Sequence, residues 1–288
     1  MLSRNVETFL GCESEYRDAR AVVFGAPFDS TVSFRPGSRF APGRMRAESD
    51  GLETYSPRQD RDLSDCFVFD GGDLELPFGD PKSALARIEE YAGGIFADGK
   101  LPVMIGGEHL VTLGAVRAAA RRYPDLAVVH FDAHADLRDE YLGASLSHAT
   151  VLRRVWDLVG DGSIFQFGIR SGDRSEFLWG KDHVSTVKFG FEGLSETAEK
   201  LRGRPVYFTL DLDVLDPSVL PGTGTPEPGG ATFQQLLEAV LKVSEFSVVG
   251  CDVVELCPLC DQSGASTAAA CKILRELLLA LVPPGKST

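Results

Sequence analysis

Pro205-Val206-Tyr207-Phe208-Thr209-Leu210-Asp211-Leu212-Asp213 is an apolar run that does not alternate with polar residues and closes on two carboxylates. A strand with one wet face alternates, whereas one covered by helices on both faces need not, so this stretch predicts a strand inside a parallel sheet. Comparable runs recur at Ala21–Gly25, Leu101–Gly107, Leu126–Asp132, Ser163–Gly168, Val184–Phe189 and Ser247–Glu255. Between them, apolar residues at three- or four-residue spacing predict helices over Ser83–Phe96, His109–Arg122, Ser147–Leu158, Glu192–Leu201, Thr232–Val243 and Ser266–Leu281. Repeated β-α units with short connections predict a right-handed α/β fold in three layers. The 288 residues contain no repeat or linker, so we expect a single domain over 1–288, with 283–288 as a frayed tail. Phe34–Arg44 and Pro221–Gly230 read as loops long enough to carry function.

Composition narrows the classes of function. Hydrophobic residues make up 43% and charged residues 25%, which is ordinary for a globular chain. Lys and Arg total 29 against 42 Asp and Glu, and the net charge of -13 argues against a nucleic-acid partner and for a cation. Neither residues 1–20 nor any later segment has an apolar run of secretory or membrane-spanning length, so no membrane association and a cytoplasmic location are expected. Six scattered cysteines predict reduced thiols rather than a disulfide framework. Cys257-Pro258-Leu259-Cys260 has redox spacing, but with no second pair it reads as a loop with buried thiols.

The chemistry-bearing residues gather at predicted strand ends. Asp132, His134 and Asp136 are spaced so that on an extended chain they share one face, and Asp211 and Asp213 repeat that spacing. In an open parallel sheet, ligands bind beyond the carboxyl ends of strands, where both clusters fall. The glycines of Ile105-Gly106-Gly107-Glu108-His109 allow a tight turn that delivers His109 to the same edge. Four carboxylates packed together would raise one another's pKa unless cations balanced them, and two divalent ions do so. Oxygen and nitrogen donors without thiolate suit Mn²⁺, with Co²⁺, Ni²⁺ and Zn²⁺ as alternatives. Water bridging two metals ~4 Å apart becomes a hydroxide near neutral pH, so hydrolysis is the expected reaction.

Together, Gly106-Gly107-Glu108-His109, Phe131-Asp132-Ala133-His134-Ala135-Asp136, Ser147-His148, Asp211-Leu212-Asp213-Val214-Leu215-Asp216-Pro217 and Pro221-Gly222-Thr223-Gly224-Thr225-Pro226 resemble the ureohydrolase family of arginases and agmatinases. Phe34-Arg35-Pro36-Gly37-Ser38-Arg39-Phe40 and Asp252-Val253-Val254-Glu255 extend the resemblance over most of the chain. It implies a three-layer α/β/α domain around an eight-stranded parallel sheet, assembled as a homo-oligomer, a trimer or hexamer. It implies one metal on His109, Asp132, Asp136 and Asp211, and another on Asp132, His134, Asp211 and Asp213, with Asp132 and Asp211 bridging. By the same resemblance His148 is the proton shuttle and acts as acid, Glu255 holds the guanidinium, and Thr225 helps orient it.

Leu137-Arg138-Asp139-Glu140-Tyr141-Leu142-Gly143 and Pro226-Glu227-Pro228-Gly229-Gly230 resemble the bacterial agmatinase branch. The expected reaction is therefore agmatine and water to putrescine and urea, a step of polyamine biosynthesis. Asp139 and Glu140 are unsuited to a substrate carboxylate, whereas Arg138 and Arg170 could receive one and would admit guanidinobutyrate or formiminoglutamate. Arginase activity is a further alternative on this scaffold. The sequence departs from the family after the glutamate, reading Glu255-Leu256-Cys257-Pro258 where an Asn-Pro pair is usual. A phosphoesterase would want a basic cluster beside the metals, which is absent. An inactive metal-binding regulator has no need of the full ligand set with His148. His183, in a polar stretch, reads as a surface residue.

Overall fold

A computed structural model describes residues 6–285. In chain order they form β1 (Ala21–Ala26), α1 (Ala41–Ser49), a small hairpin of β2 (Tyr55–Ser56) and β3 (Arg61–Asp62), β4 (Val68–Asp73), α2 (Pro81–Ala97), β5 (Leu101–Gly106), α3 (Thr112–Arg122) and β6 (Ala127–Phe131). There follow α4 (Val151–Val159), β7 (Ile164–Ile169), α5 (Arg174–His183), β8 (Ser185–Lys188), α6 (Leu194–Lys200), β9 (Pro205–Asp211), α7 (Phe233–Lys242), β10 (Ser247–Val254) and α8 (Ala265–Leu281). Eight strands make one sheet in the order β4-β1-β5-β10-β9-β6-β7-β8. Every pairing in it is parallel.

The apolar run Pro205–Asp211 is β9, in the buried middle of this sheet. Val206, Phe208 and Leu210 of β9 join the apolar layer with α1, α6, α7 and α8, whereas Tyr207 joins the layer with α2, α3 and α4. Alternate residues thus enter opposite cores, which is why the run shows no polar alternation.

Five elements were not anticipated: the two strands of the β2-β3 hairpin, β4, α1 and α5. β4 contains Gly71, Gly72 and two aspartates, a composition tolerated because it is an edge strand beside β1. α1 starts inside the stretch read as the loop Phe34–Arg44; Pro42 sits in the first turn, where a missing N–H costs nothing. α5 carries His183, whose ring stacks on Trp179 at 4.2 Å and whose Nδ1 lies 2.7 Å from Asp161 Oδ1. That histidine is partly exposed. Of the expected frayed tail, Pro283 and Pro284 offer carbonyls to Arg20 and Gly285 N–H donates to Asp65 O, while 286–288 lie outside the described residues. No helix among the described residues is long and apolar enough to cross a membrane. Cys257 and Cys260 are free thiols with sulfurs 2.9 Å apart in the loop before α8.

Candidate metal centre and its pocket

The acidic residues do converge, but not by sharing strand faces. β6 ends at Phe131 and β9 at Asp211, so Asp132–Asp136 is a loop and Asp213 lies in a 3-10 turn, Leu212–Val214. Asp136 takes a left-handed φ of 54°, a conformation that turns its carboxylate back towards the strand end at a cost in backbone strain. Short side-chain-to-backbone bonds set the turns: Asp211 Oδ1 accepts from Asp213 N–H at 2.8 Å, and Asp213 Oδ1 accepts from Ala133 N–H at 3.1 Å. His109 opens the 3-10 turn after β5. Gly107 brings it there, because a Cβ at that position would lie 2.0 Å from the Phe28 carbonyl oxygen.

His109 Nδ1 lies 3.0 Å from Asp132 Oδ2, 3.2 Å from Asp136 Oδ2 and 3.3 Å from Asp211 Oδ2. His134 Nδ1 lies 2.8 Å from Asp213 Oδ2 and 3.6 Å from Asp132 Oδ1. Asp132 therefore presents one oxygen to each histidine. His109 Nδ1 and Asp213 Oδ2 are buried and have no aligned hydrogen-bond partner. The four aspartates and His109 are buried, and His134 alone keeps some exposure.

Beneath this cluster runs a buried polar row that the sequence reading did not single out. Asp252, Thr209, His130, Gln166 and Thr186 are successive cross-strand neighbours on β10, β9, β6, β7 and β8. The Thr209 hydroxyl donates to Asp252 Oδ1 at 2.6 Å and Tyr207 donates to Oδ2 at 2.8 Å. Having spent its hydrogen, Thr209 accepts from His109 Nε2–H at 3.0 Å. In the neutral ring, that bond fixes the tautomer that leaves the Nδ1 lone pair towards the carboxylates. Gln166 is oriented by donating to Ala135 O (2.8 Å) and accepting from Thr186 (3.0 Å), so its amide donates to His130 Nδ1 at 3.1 Å. His130 Nε2–H then donates to Asp132 Oδ2 at 2.8 Å. His130 stands close enough to His109 and Asp132 to be considered a ligand. Its hydrogen-bond directions make it a support for Asp132 instead. A period of two from Asp132 was the available signal.

Burial and mutual charge displace these acids and imidazoles from their ordinary pKa values. Burial opposes charge on His109 and His134, yet the surrounding aspartates prevail and hold both imidazoles well above the ordinary value. Burial, then Asp132, pushes Asp136 up to about 7. Burial and Asp213 push Asp211 up strongly. Asp132 is held well below the carboxylate range: burial opposes this, but His130, His109 and His134 outweigh it.

Above the cluster opens a cavity of about 250 Å³ lined by His134, Asp136, Arg138, Tyr141, His148, Thr225 and Glu255, among others. Glu255 has a left-handed φ of 64° just beyond β10, and its Oε1 accepts from His109 N–H at 2.7 Å. Burial pushes its pKa up to about 8. His148 follows the cap residue Ser147, and burial, ahead of the neighbouring positive charges, pushes it down to about 4. Its ring meets the edge of Tyr141 at 5.7 Å.

Arg138 and Arg170, the arginines expected to be able to receive a carboxylate, are both engaged. Arg138 reaches Asp173 and Glu176, each at 3.4 Å. Arg170 donates to the carbonyls of Asp213, Val214, Leu215 and Glu227. Asp139 and Glu140 do not line the cavity: both are exposed, and Asp139 pairs with Arg154 at 2.6 Å. Any selection against a carboxylate therefore comes from elsewhere in the pocket.

Residues 19–280 match the model of the arginase family. The chain is 48% identical over 281 residues to an agmatinase of Bacillus subtilis, covering 96% of this chain and 97% of that one. It is 38% identical to the proclavaminate amidinohydrolase of Streptomyces clavuligerus, covering 89% and 86%. A crystal structure from Clostridium difficile overlays with a TM-score of 0.90 at 50% identity, covering 93% of this chain and 98% of that chain.

Proposed function

The chain belongs to the arginase family, and on that premise we propose that it is a metal-dependent amidinohydrolase converting agmatine and water to putrescine and urea. The observation carrying this reading is the pair of unsatisfied buried ligand atoms, His109 Nδ1 and Asp213 Oδ2, under a cavity that Glu255 and His148 also line. An orphaned buried polar atom costs about 1–3 kcal/mol. Two cations relieve both atoms and offset the aspartate charge. His109, Asp132, Asp136 and Asp211 would hold one cation, and Asp132, His134, Asp211 and Asp213 the other, with Asp132 and Asp211 shared. The approach of Asp132 to both histidines supports its shared role. Donors limited to carboxylate and imidazole favour Mn²⁺. When bound, the cations lower the pKa of water and supply a nucleophile near neutral pH.

The chain's own groups do the rest. Glu255 accepts N–H donors of the planar guanidinium, and that cation favours the carboxylate form. Thr225 offers a hydroxyl for orientation. His148, neutral at pH 7, takes a proton from the attacking water and gives it to the departing amine as the C–N bond breaks. Urea keeps the carbon and the water oxygen, and putrescine leaves with the proton. Because Arg138 and Arg170 are already engaged, the pocket favours an amine-ended substrate over guanidinobutyrate, formiminoglutamate or arginine. The same reading makes the chain one ureohydrolase domain of a cytoplasmic homo-oligomer serving polyamine synthesis.

The test is product release from agmatine, arginine, guanidinobutyrate and formiminoglutamate by chelator-treated protein, with and without Mn²⁺. Metal-dependent urea release with highest kcat/KM for agmatine is expected. Preference for a carboxylate-bearing substrate overturns the substrate reading, and undiminished turnover after verified metal removal overturns the metal centre.

A further inference from the structure

Glu108 is a fully buried carboxylate for which the reaction described above has no task. No Lys, Arg or His pairs with it among the described residues. An unpaired buried carboxylate is expensive, so hydrogen bonds must hold it. Both oxygens are occupied by one residue: the Thr31 hydroxyl donates to Oε1 at 2.6 Å and the Thr31 N–H to Oε2 at 2.8 Å. A hydroxyl has one hydrogen, and this one goes to Glu108. Towards its other neighbour Thr31 is therefore an acceptor, and it receives the backbone N–H of His148 at 3.0 Å.

The same short segment reaches the imidazole, because Ser33 Oγ lies 3.4 Å from His148 Nε2. On the far side, Ser147 Oγ lies 3.3 Å from Nδ1. Glu108 is itself rigidly seated: its N–H donates to Phe28 O at 2.8 Å, and the preceding Gly107 has no room for a Cβ. The next residue is His109, whose N–H is held by Glu255. One hydrogen-bonded chain, buried at Glu108 and half-buried at Thr31, thus joins the segment that presents a metal ligand to the segment that presents the proton carrier.

We propose that Glu108 and Thr31 are positioning residues, fixing the distance and direction of the His148 imidazole relative to the metal cluster and Glu255. The inference rests on the reading of His148 as proton carrier. Proton transfer to a leaving amine is steeply sensitive to placement, and a displacement of about 1 Å costs on the order of 10²-fold in rate. Thr31→Val keeps the shape and removes the hydroxyl; Thr31→Ser restores it. Glu108→Gln replaces one acceptor oxygen with an amide that cannot receive both Thr31 donors.

The experiment measures kcat and KM for urea release from agmatine, with metal content, in the Mn²⁺-loaded wild type, T31V, T31S, E108Q, the T31V/E108Q double variant and H148A. For T31V we expect kcat to fall on the order of 10²-fold, with KM and metal content close to wild type, and T31S to recover most of the loss. The double variant should be no slower than the worse single variant, since both break one chain. Wild-type kcat in T31V beside a slow H148A overturns the inference alone. A T31V defect confined to KM, or matched by lost metal, also overturns it. Wild-type kcat in H148A removes the proton-carrier reading and this inference with it.

Discussion

Thr209→Val removes the hydroxyl that receives His109 Nε2–H and donates to Asp252, while leaving the side-chain volume nearly unchanged. Two consequences can be separated. In the metal-free protein, a buried N–H loses its acceptor and a buried carboxylate loses one of its hydroxyl donors, keeping Tyr207 at its far oxygen, a loss of about 2–5 kcal/mol in stability. In the metal-binding equilibrium, His109 is no longer committed to the tautomer that offers Nδ1. Loss of such a supporting hydrogen bond weakens metal affinity by roughly 10–100-fold, or about 1.4–2.8 kcal/mol. Competition of the protein with a chelator for Mn²⁺ reads the second quantity, and the unfolding midpoint of the metal-free protein reads the first. Thr209→Ser, which restores the hydroxyl, should return both towards wild type. Wild-type Mn²⁺ affinity in T209V would refute the argument that Thr209 commits the histidine.

Asp132→Ala and Asp211→Ala should each remove both cations and turnover; full metal content after dialysis, measured by elemental analysis, would end the bridging assignment of that residue. Gly107→Ala should lose soluble, metal-loaded protein, because its Cβ would sit 2.0 Å from a backbone oxygen; an unchanged yield and metal content would mean the segment can move. Glu276, buried where Ser56, Gln59 and Arg275 bond its carboxylate, is held down at about 2 against the opposing effect of burial. Its folded pKa is depressed, so its contribution of roughly 2–3 kcal/mol is present above the ordinary carboxyl pKa and is lost as pH falls through about 2. Glu276→Gln should therefore lower the unfolding midpoint at pH 7 and flatten its decline below pH 4.5; equal midpoints at pH 7 would contradict this.

What the sequence made legible was whatever its period reports. β5, β6 and β9 are largely apolar and buried on both sides, and the ligand types at their ends follow one another in order. β4 escaped because an edge strand needs no apolar face, and α5 because its helix is mostly polar. A capping box, Asp173 with Glu176, was the usable signal for α5. The aspartates were recognisable by type, but not the way they meet. Asp136 and Asp213 reach the site through turns, and turn conformation leaves a weaker trace in sequence than strand periodicity. His130 and Asp252 carry the same residue types as the ligands they support, so only hydrogen-bond direction distinguishes their task. The expectation for Asp139 and Glu140 failed for a related reason: proximity in sequence to a ligand loop does not set the direction of a side chain.

The polar row of Asp252, Thr209, His130, Gln166 and Thr186 also bears on how the sheet finds its alignment. Parallel strands made of Val, Phe and Leu offer little to tell one pairing offset from the next. A one-residue slip of β9 would swing Thr209 into the layer occupied by Phe208 and leave Asp252 facing an apolar side chain with no hydroxyl donor from that strand. Five neighbouring strands each contribute one link, so an error at any one of them leaves a buried polar group unpaired in the next. The row thereby makes one strand offset more stable than its neighbours, a preference that the apolar side chains alone would leave weak.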